Sequence, residues 1–560
     1  MAKDDLMAHS KAFHETVPGL DRPHLATAGS SRSGLVRRGL IAAAWVLGAV
    51  AGFGVYLRLA RTLAVNSDGA TQALQAWDML HGNLLLHGWT VGDVTFYTTE
   101  LPEYMLVELV RGLNQDVVHV AAAVTYTLAV LLAVLLAKGA STGREAAVRA
   151  MIAVGIMLAP QLAAGTLTVL SSPDHFGVSV PVLLVWVITD RARPRWYVPV
   201  VTSLLLGWAE VADPTVFYVG VLPLAIVCAV RTARAMAAGR RLTEQWHDIA
   251  LGLGALLGAA AATLALRVIE AHGFHAWPAS TTLSPLATIV GHNLGMTGDG
   301  LLLLAGADFL VWPMGVTALL GMLHLVGLFL GAAGIALTAW RFPRDRDRDL
   351  VAQLLLVGII INLAAYLVGT HAASLANTRG ISDVLPFGAA LAGRLLGPRL
   401  AGAGRARHFV PVLAVVLLGY AAGLGLELSK PAAPAHAQQL ASWLEAHHLS
   451  GGLSGFWPSN VVTLTAGERV SIRPVRVAGG RVNRFLQLES AYWYEPARAT
   501  ADFVVLYPGA ASYPGGLPGD ASFEDMRAVL ATFGPPASTY HVGSSTVLVW
   551  TKNILADLGK

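Results

Sequence analysis

Apolar runs of about 20 residues, each long enough for a helix to cross a bilayer, recur along this chain from residue 39 to residue 428. Hydrophobic residues make up 54% of the sequence and charged residues only 13%, whereas an ordinary globular domain carries roughly 25% charged residues. A soluble globular protein is therefore excluded. The sequence predicts an all-α polytopic membrane protein.

The apolar runs predict about eleven transmembrane helices. They lie near residues 39–60, 117–137, 149–170, 176–190, 196–210, 214–230, 248–271, 316–340, 350–369, 381–397 and 409–428. Residues 1–38 are polar and predict a disordered cytoplasmic N-terminus ahead of a signal anchor. The composition becomes polar after residue 430, so residues 39–430 are predicted to form the membrane domain and residues 431–560 a small α/β domain.

Lysine and arginine concentrate in alternate connecting segments. Residues 191–195 contain three arginines, whereas the long segment His272–Phe309 has no lysine or arginine. Because basic loops stay on the cytoplasmic side, the N-terminus is predicted inside and, with an odd number of spans, the C-terminal domain is extracytoplasmic at the plasma membrane. The net charge of +4 is spread over these loops rather than one patch, so no nucleic-acid partner is expected.

The first outer segment, residues 61–116, is too apolar for a solvated linker and too interrupted by Gly, Pro and Asp to span a membrane. Helical spacing predicts two in-plane amphipathic helices, Ala70–Leu80 and Glu103–Leu113. Asp68 precedes the first of them. A carboxylate at the membrane surface is partly desolvated, which suits a general base that deprotonates a hydroxyl. The alternative is that Asp68 is the N-cap of the helix.

Three further residues of this segment are candidates for the same site. Glu100 and Glu103 lie in Thr-Thr-Glu-Leu-Pro-Glu, where Glu100 is a second candidate base and Glu103 a candidate substrate contact. The alternative for Glu103 is a helix cap after Pro102. Trp89 is a candidate platform for a sugar ring, although interfacial tryptophans also anchor ordinary membrane proteins.

Two later outer turns also carry acids. In Ser-Ser-Pro-Asp-His-Phe, the adjacent Asp174 and His175 have the chemistry to ligate a divalent cation, Mg or Mn, or to contact a phosphate. A helix cap at Asp174 is the equally weighted alternative. In Trp-Ala-Glu-Val-Ala-Asp-Pro, Glu210 and Asp213 are candidate sugar or acceptor contacts.

Arg379 is an isolated outer cation in Ala-Asn-Thr-Arg-Gly. A basic residue on the outer side departs from the charge rule and needs a partner. A lipid phosphate is a natural one, because the guanidinium presents a fork of donors to phosphate oxygens. The alternative is a structural pair with an outer acid.

The C-terminal domain alternates helical and strand patterns. The predicted elements are a helix Ala435–His447, strands Val461–Thr465, Arg469–Val475, Ala501–Tyr507 and Ser545–Trp550, and a helix Phe523–Phe533. Between the first two, residues Gly451–Pro458 read as flexible turns with two large aromatics. These aromatics are predicted either to cover a cleft, to touch a carbohydrate, or to pack into the domain core.

The arrangement of these features resembles the GT-C superfamily of polytopic glycosyltransferases. The resemblance covers residues 39–430 and is carried by NSDGATQALQAWDMLHGN, SSPDHFG, GWAEVADPTVFYVGVLPL and TRGISDVLPFGAALAGR. It implies an inverting transferase that uses a polyprenyl-phosphate-linked sugar on the outer side of the membrane. It further implies a general base at Asp68 and a donor phosphate near Asp174 and Arg379, with or without a cation.

Two subfamilies of that superfamily are disfavoured. The protein O-mannosyltransferases have an Asp-Glu pair, but Gly69 follows Asp68 here, and the tail has no Trp-Trp-Asp motif of the oligosaccharyltransferases. The bias toward Ala, Gly, Arg and Val is typical of actinobacterial proteins and implies a cell-envelope glycan, lipid or protein as acceptor. The competing hypotheses are a transporter or flippase, disfavoured by the absence of a sequence repeat, and a non-catalytic envelope-binding protein.

Overall fold

The computed structural model describes residues 28–158, 168–278, 282–343, 349–433, 436–509 and 522–558. The chain forms two compact units, Met1–Ala51 and Gly52–Lys560. Everything described below lies in the second unit, apart from the beginning of the first helix.

The helices of the membrane part are α1 (Ala28–Ala60), α2 (Ser67–Leu80), α3 (Glu100–Arg111), α4 (Asp116–Lys138), α5 (Gly143–Met157), α6 (Ser179–Arg191), α7 (Tyr197–Ala212), α8 (Leu222–Ala237), α9 (Trp246–His272), α10 (Leu294–Leu304), α11 (Val316–Arg341), α12 (Leu350–Val368), α13 (Val384–Ala401) and α14 (Ala403–Ser429).

Within the described ranges, seven helices are long and apolar enough to cross a membrane. These candidate spans are Gly39–Ala60, Asp116–Lys138, Phe217–Ala237, Leu242–His272, Val316–Arg341, Leu350–Val368 and His408–Ser429. The predicted fold class is confirmed, while the number of eleven spans stays a prediction. One difference concerns the predicted helix 149–170: α5 ends at Met157, and residues 159–167 of that prediction lie outside the described part.

Close approach between helices depends on small residues, as is usual in membrane bundles. A Cβ added to Gly207 on α7 would lie 2.8 Å from the carbonyl oxygen of Gly258 on α9. A Cβ added to Gly258 would in turn lie 2.5 Å from the carbonyl oxygen of Ser203. Backbone therefore packs on backbone between α7 and α9, which fixes the end of α7, where Asp213 follows the helix.

The two helices predicted in the first outer segment are present as α2 and α3, each beginning three residues before its predicted start. Protein covers α2, because α3, α4 and a helix of the C-terminal domain pack around it. Its alanines Ala70, Ala73 and Ala76 are buried together with Leu464 of that domain. The position of both helices in the plane of a membrane stays a prediction.

In its described residues, the C-terminal domain combines three α-helices with a six-stranded sheet. The helices are α15 (His436–Ala446), α16 (Phe456–Ala466) and α17 (Met526–Phe533). The strands of the chain are β1 (Trp89–Val91), β2 (His275–Ala276), β3 (Gly451–Ser454), β4 (Ser471–Ala478), β5 (Arg481–Arg484), β6 (Glu489–Ser490), β7 (Phe503–Leu506), β8 (Ser538–Val542) and β9 (Ser545–Val549). The sheet order is β5-β4-β3-β7-β9-β8, with β3 parallel to both of its neighbours.

Two predictions for this domain are wrong. The β-branched stretch Val461–Thr465 is part of helix α16 instead of a strand, because burial of Val462 and Leu464 overrides local propensity and Gly467, with φ +57°, ends the helix. Residues Gly451–Ser454 are not flexible turns but a buried central strand, β3. The predicted helix Ala435–His447 is present as α15, with Ala435 outside the described residues.

A second, three-stranded sheet joins the outer segments to the C-terminal domain. Strand β1 pairs parallel with β2, where Thr90 faces His275, and antiparallel with β6, where Trp89 faces Ser490. Strand pairing satisfies the backbone groups of these short segments. The sheet thereby holds the domain over the first outer segment.

Candidate active site

Asp68 lies in the first turn of α2 and is not its N-cap. The N-cap is Asn66, whose side chain accepts a hydrogen bond of 2.8 Å from the backbone N–H of Gly69. The capping alternative for Asp68 is therefore wrong. Its side chain instead accepts a hydrogen bond from a residue more than 300 positions later in the chain.

That residue is Arg379, on the 3-10 turn Leu375–Ile381. Its Nη1 donates to Asp68 Oδ2 at 3.1 Å and to Asp174 Oδ2 at 2.6 Å. The Arg379 side chain keeps 35% of its surface exposed, compared with 18% for Asp68 and 10% for Asp174. Three residues proposed from the sequence therefore form one charged cluster, the Asp68–Arg379–Asp174 cluster, whose cation remains open to solvent.

Two effects on the pKa of Asp68 oppose each other. Burial raises the pKa of Asp68, and the charge of Arg379 opposes that rise. The two carboxylates raise the pKa of Arg379 further above its usual range, so the guanidinium stays charged. Asp68 is thus a carboxylate whose basicity depends on how strongly Arg379 holds it.

The turn that carries Asp174 has an unusual backbone. Asp174 has φ +43°, in the left-handed region that few non-glycine residues occupy. Such strain is retained where surrounding contacts require it and is frequent at functional sites. Here the conformation directs Asp174 to Arg379, whereas the adjacent His175 turns to a different partner.

His175 pairs with Asp213 at the end of α7, with 2.9 Å between Nδ1 and Oδ2. Burial alone would lower the pKa of His175, but the charge and hydrogen bond of Asp213, together with the charge of Asp174, outweigh burial and raise that pKa to about 9. Burial alone would raise the pKa of Asp213, but His175 lowers it below its usual range. The pair is therefore an imidazolium and a carboxylate at neutral pH.

The donor set does not fit the divalent cation considered from the sequence. Asp174 is bonded to Arg379 and His175 is bonded to Asp213, so both side chains are already engaged with other partners. Among the described residues, no group of three or more His, Cys, Asp or Glu side chains is placed to hold a metal ion. Phosphate recognition by Arg379 fits the observed contacts better.

The Asp68–Arg379–Asp174 cluster forms part of the wall of a cavity of about 760 Å³ between the membrane part and the C-terminal domain. His175 and two glutamines of α2, Gln72 and Gln75, also line this cavity. The C-terminal domain contributes the opposite wall. Its lining residues include Phe456, Trp457, Val475, Arg476, Val477, Phe485, Gln487 and Leu488. Phe456 and Trp457, the two aromatics of Gly451–Pro458, thus lie at the cleft, as the alternative in which they cover it predicted.

Glu100 is buried, with 2% of its surface exposed, and does not line the cavity. It accepts a hydrogen bond from Thr99, and a Cβ added to Gly177 would lie 1.9 Å from its Oε1. Burial raises its pKa to about 8. Glu100 is thus mostly protonated at pH 7 and has no direct path to a substrate in this conformation.

The other predicted contact residues do not line the cavity. Trp89 is buried, donates to Asp78 at 2.7 Å and stacks edge-on against Trp493. Glu103 lies in the first turn of α3, whose N-cap position is Thr99, and accepts a 2.8 Å bond from Thr125, while burial raises its pKa to about 7. Glu210 and Asp213 do not line the cavity either. Asp213 instead contacts His175, which does line it.

Sequence reasoning missed several residues at this site. Gln72 and Gln75 follow Asp68 at spacings of four and seven, which helical periodicity places on the same face. Asp383, in the stretch TRGISDV, accepts a 2.5 Å bond from Ser179 and lies near the His175–Asp213 pair rather than in the cavity wall. Nothing in the sequence pattern indicated Arg476 or Phe485, because they reach the cavity only through the sheet of the C-terminal domain.

No family model and no curated protein matches the sequence. Among solved structures, ArnT from Cupriavidus metallidurans bound to undecaprenyl phosphate is 13% identical, with a TM-score of 0.54 over 93% of this chain and 99% of ArnT. Its apo state is 14% identical, with a TM-score of 0.55 over 94% and 100%. The Archaeoglobus fulgidus oligosaccharyltransferase in complex with Zn and sulfate is 15% identical, with a TM-score of 0.46 over 82% and 67%. The chain therefore shares the overall fold of ArnT, with a helical membrane body followed by a C-terminal domain that contains a sheet.

Proposed function

We propose that this chain is an inverting membrane glycosyltransferase that moves a sugar from a polyprenyl-phosphate donor to a cell-envelope acceptor on the outer face of the membrane. The observation that carries the proposal is the Asp68–Arg379–Asp174 cluster in the wall of the 760 Å³ cavity. The cluster combines a basic carboxylate with an exposed cation, the two groups that such a transfer needs. The ArnT fold, solved in one case with undecaprenyl phosphate, supports a lipid-phosphate ligand.

Arg379 is the proposed site for the donor phosphate. Within the described part of the chain, its bonds to Asp68 and Asp174 come from Nη1, so Nη2 and Nε remain for a ligand. A guanidinium binds two phosphate oxygens through parallel N–H donors. Its charge then stabilises the phosphate as the bond to the sugar breaks.

Asp68 is the proposed general base. An acceptor hydroxyl loses its proton to Asp68 while its oxygen forms a bond to the anomeric carbon. The bond between that carbon and the phosphate oxygen breaks, and polyprenyl phosphate leaves as the anion held by Arg379. One proton and one glycosyl group are transferred, and attack opposite to the leaving group inverts the anomeric centre.

Donor binding and base strength are coupled in this arrangement. A phosphate that shares Arg379 weakens the interaction of the guanidinium with Asp68, which is 3.1 Å away. Because Arg379 opposes the rise in the Asp68 pKa, partial release makes Asp68 a stronger base. Asp174, at 2.6 Å, keeps Arg379 in place during this change. The base thus becomes strongest when the donor is present.

The first experiment measures transfer of radiolabelled sugar from a panel of polyprenyl-phosphate donors in membranes that contain wild-type protein or Asp68→Asn. The expected result is transfer by the wild type and a loss of at least about 100-fold in Asp68→Asn, the range of a general base. Asp93→Asn is the matched control, since Asp93 lines the same cavity. It should retain most of the activity.

Equal expression of the three proteins is checked by immunoblotting. Transfer that survives in Asp68→Asn assigns the base to another carboxylate and refutes the role given to Asp68. Absence of transfer by the wild type with every donor refutes the glycosyltransferase proposal and favours a transporter or an envelope-binding protein.

A further inference from the structure

Helix α2 presents a polar stripe to the cavity beyond the Asp68–Arg379–Asp174 cluster. Asp68, Gln72 and Gln75 follow one another at i, i+4 and i+7, and all three line the cavity. At a rise of 1.5 Å per residue, the glutamines lie roughly 6 and 10 Å further along the helix axis than Asp68. The stripe therefore extends about 10 Å along the helix axis from the proposed reaction centre.

Each glutamine has a buried amide atom without a hydrogen-bond partner in the described part of the chain. These atoms are Oε1 of Gln72 and Nε2 of Gln75, on side chains only 3% and 2% exposed. Burying an unpartnered polar atom is unfavourable, and leucine would occupy nearly the same volume without that cost. Each amide carries both an acceptor oxygen and donor N–H groups, and rotation about its terminal torsion exchanges their positions. A ligand hydroxyl has both capacities, so a group bearing several hydroxyls complements the pair.

An aromatic wall from the C-terminal domain lines the same cavity. Phe456 stacks on Phe485 with ring centroids 4.9 Å apart and contacts Trp457 edge-on at 5.4 Å. The hydroxyl of Ser67 donates to the carbonyl of Phe456 at 2.6 Å, so this wall is anchored to the residue before Asp68. Aromatic faces with a few placed polar groups are the usual lining of a small-molecule site and suit the apolar C–H face of a sugar.

We propose that Gln72 and Gln75 bind ring hydroxyls of a sugar that packs against Phe456 and Trp457. This subsite rests on the proposed function, because it places the sugar beside the base and the phosphate-binding arginine. It identifies the ligand as a saccharide rather than a lipid headgroup of another class. The shared chemistry fits either the sugar of the donor or a sugar of the acceptor.

The test compares dissociation constants of the purified full-length protein for polyprenyl phosphate and for polyprenyl phosphate that carries mannose, glucose or another hexose. The wild type should bind one sugar-bearing lipid more tightly than polyprenyl phosphate. Gln72→Leu and Gln75→Leu should each reduce that preference by about 5- to 10-fold, with polyprenyl phosphate binding unchanged. A merely structural role would weaken both lipids together.

Gln353→Leu is the matched control. Gln353, on α12, is also buried with an unpartnered Oε1, but it does not line the cavity. The same substitution there should leave the preference for the sugar-bearing lipid unchanged. A loss of that preference in all three variants would overturn the proposal.

A second arm distinguishes the two sources of the sugar. If the preference is unchanged in both cavity variants but the KM for a saccharide acceptor rises by a similar factor in the transfer assay, the subsite holds the acceptor ring. If neither quantity changes, the subsite proposal is overturned even though transfer persists. Sugar-dependent binding that requires Gln72 and Gln75 in a protein without transfer activity would support the subsite and refute only the glycosyltransferase proposal.

Discussion

Replacing Arg379 with glutamine tests the phosphate site at its centre. The substitution removes the guanidinium that bonds Asp68 at 3.1 Å and Asp174 at 2.6 Å and leaves two carboxylates facing each other. It also removes the cation that the proposed donor phosphate requires. Two quantities should therefore change together, the affinity for polyprenyl phosphate and the free energy of unfolding.

The magnitude follows from the contacts. A hydrogen bond to a charged group contributes about 1.5 to 3 kcal/mol, and the lower half of that range applies here because Arg379 is 35% exposed and screened by water. Loss of about 2 kcal/mol of phosphate binding corresponds to a roughly 30-fold increase in the dissociation constant. The unpaired carboxylates should lower the free energy of unfolding by about 1 to 3 kcal/mol.

The assay is titration calorimetry of polyprenyl phosphate with purified protein in detergent, together with thermal unfolding. Arg394→Gln is the matched control, since Arg394 also bonds two aspartates, Asp190 at 2.6 Å and Asp349 at 2.7 Å, and does not line the cavity. Arg394→Gln should lower the free energy of unfolding at least as much as Arg379→Gln, because the Arg394 side chain is only 13% exposed. It should leave the affinity for polyprenyl phosphate unchanged.

Two results would refute this reasoning. One is an affinity of Arg379→Gln for polyprenyl phosphate within threefold of the wild type. The other is an equal loss of affinity in Arg379→Gln and Arg394→Gln, which would mean that binding reports general stability instead of a contact with phosphate.

Two further predictions concern the turn beside Arg379. Because Asp213 raises the pKa of His175 from 6.5 to about 9, the stabilisation is complete below pH 6.5 and is lost as pH rises through 9. His175→Gln should therefore cost roughly 2 to 3 kcal/mol more at pH 6 than above pH 9, measured by denaturant unfolding, and a cost independent of pH would contradict the ion pair. Gly177→Ala places a Cβ 1.9 Å from Oε1 of Glu100 and should lower the free energy of unfolding by about 1 to 3 kcal/mol. The shorter carboxylate of Glu100→Asp should relieve part of that loss, and an unchanged cost in this background would contradict the proposed clash.

Much of the site was predictable because its residues interrupt an apolar sequence. Asp68, Asp174 and Arg379 stood out as charges in outer turns, and the structure brings them into bonded contact. Glu103 drew attention for the same reason and Trp89 as a platform for a sugar ring, but both pack elsewhere. A charge near the membrane surface indicates that a partner is needed, but not which partner it has.

The errors have local causes. Val461–Thr465 has strand propensity, yet it is helical because its side chains bury against the domain core. The cation site considered at the adjacent Asp174 and His175 stays a prediction, and the two side chains bond different partners, Arg379 and Asp213. The orientation of the termini in the membrane and the eleven spans remain predictions.

The sequence by itself determined the class of protein, because hydrophobicity over a run of about 20 residues is a local property that a bilayer responds to directly. It also determined which residues were candidates for chemistry. Only the tertiary structure decided that Asp68 meets Arg379 across 311 positions, that Glu100 is enclosed, and that aromatic residues of the C-terminal domain form the facing wall of the cavity. Those outcomes depend on side-chain direction and on contacts between distant segments, which follow from the packing of the whole chain.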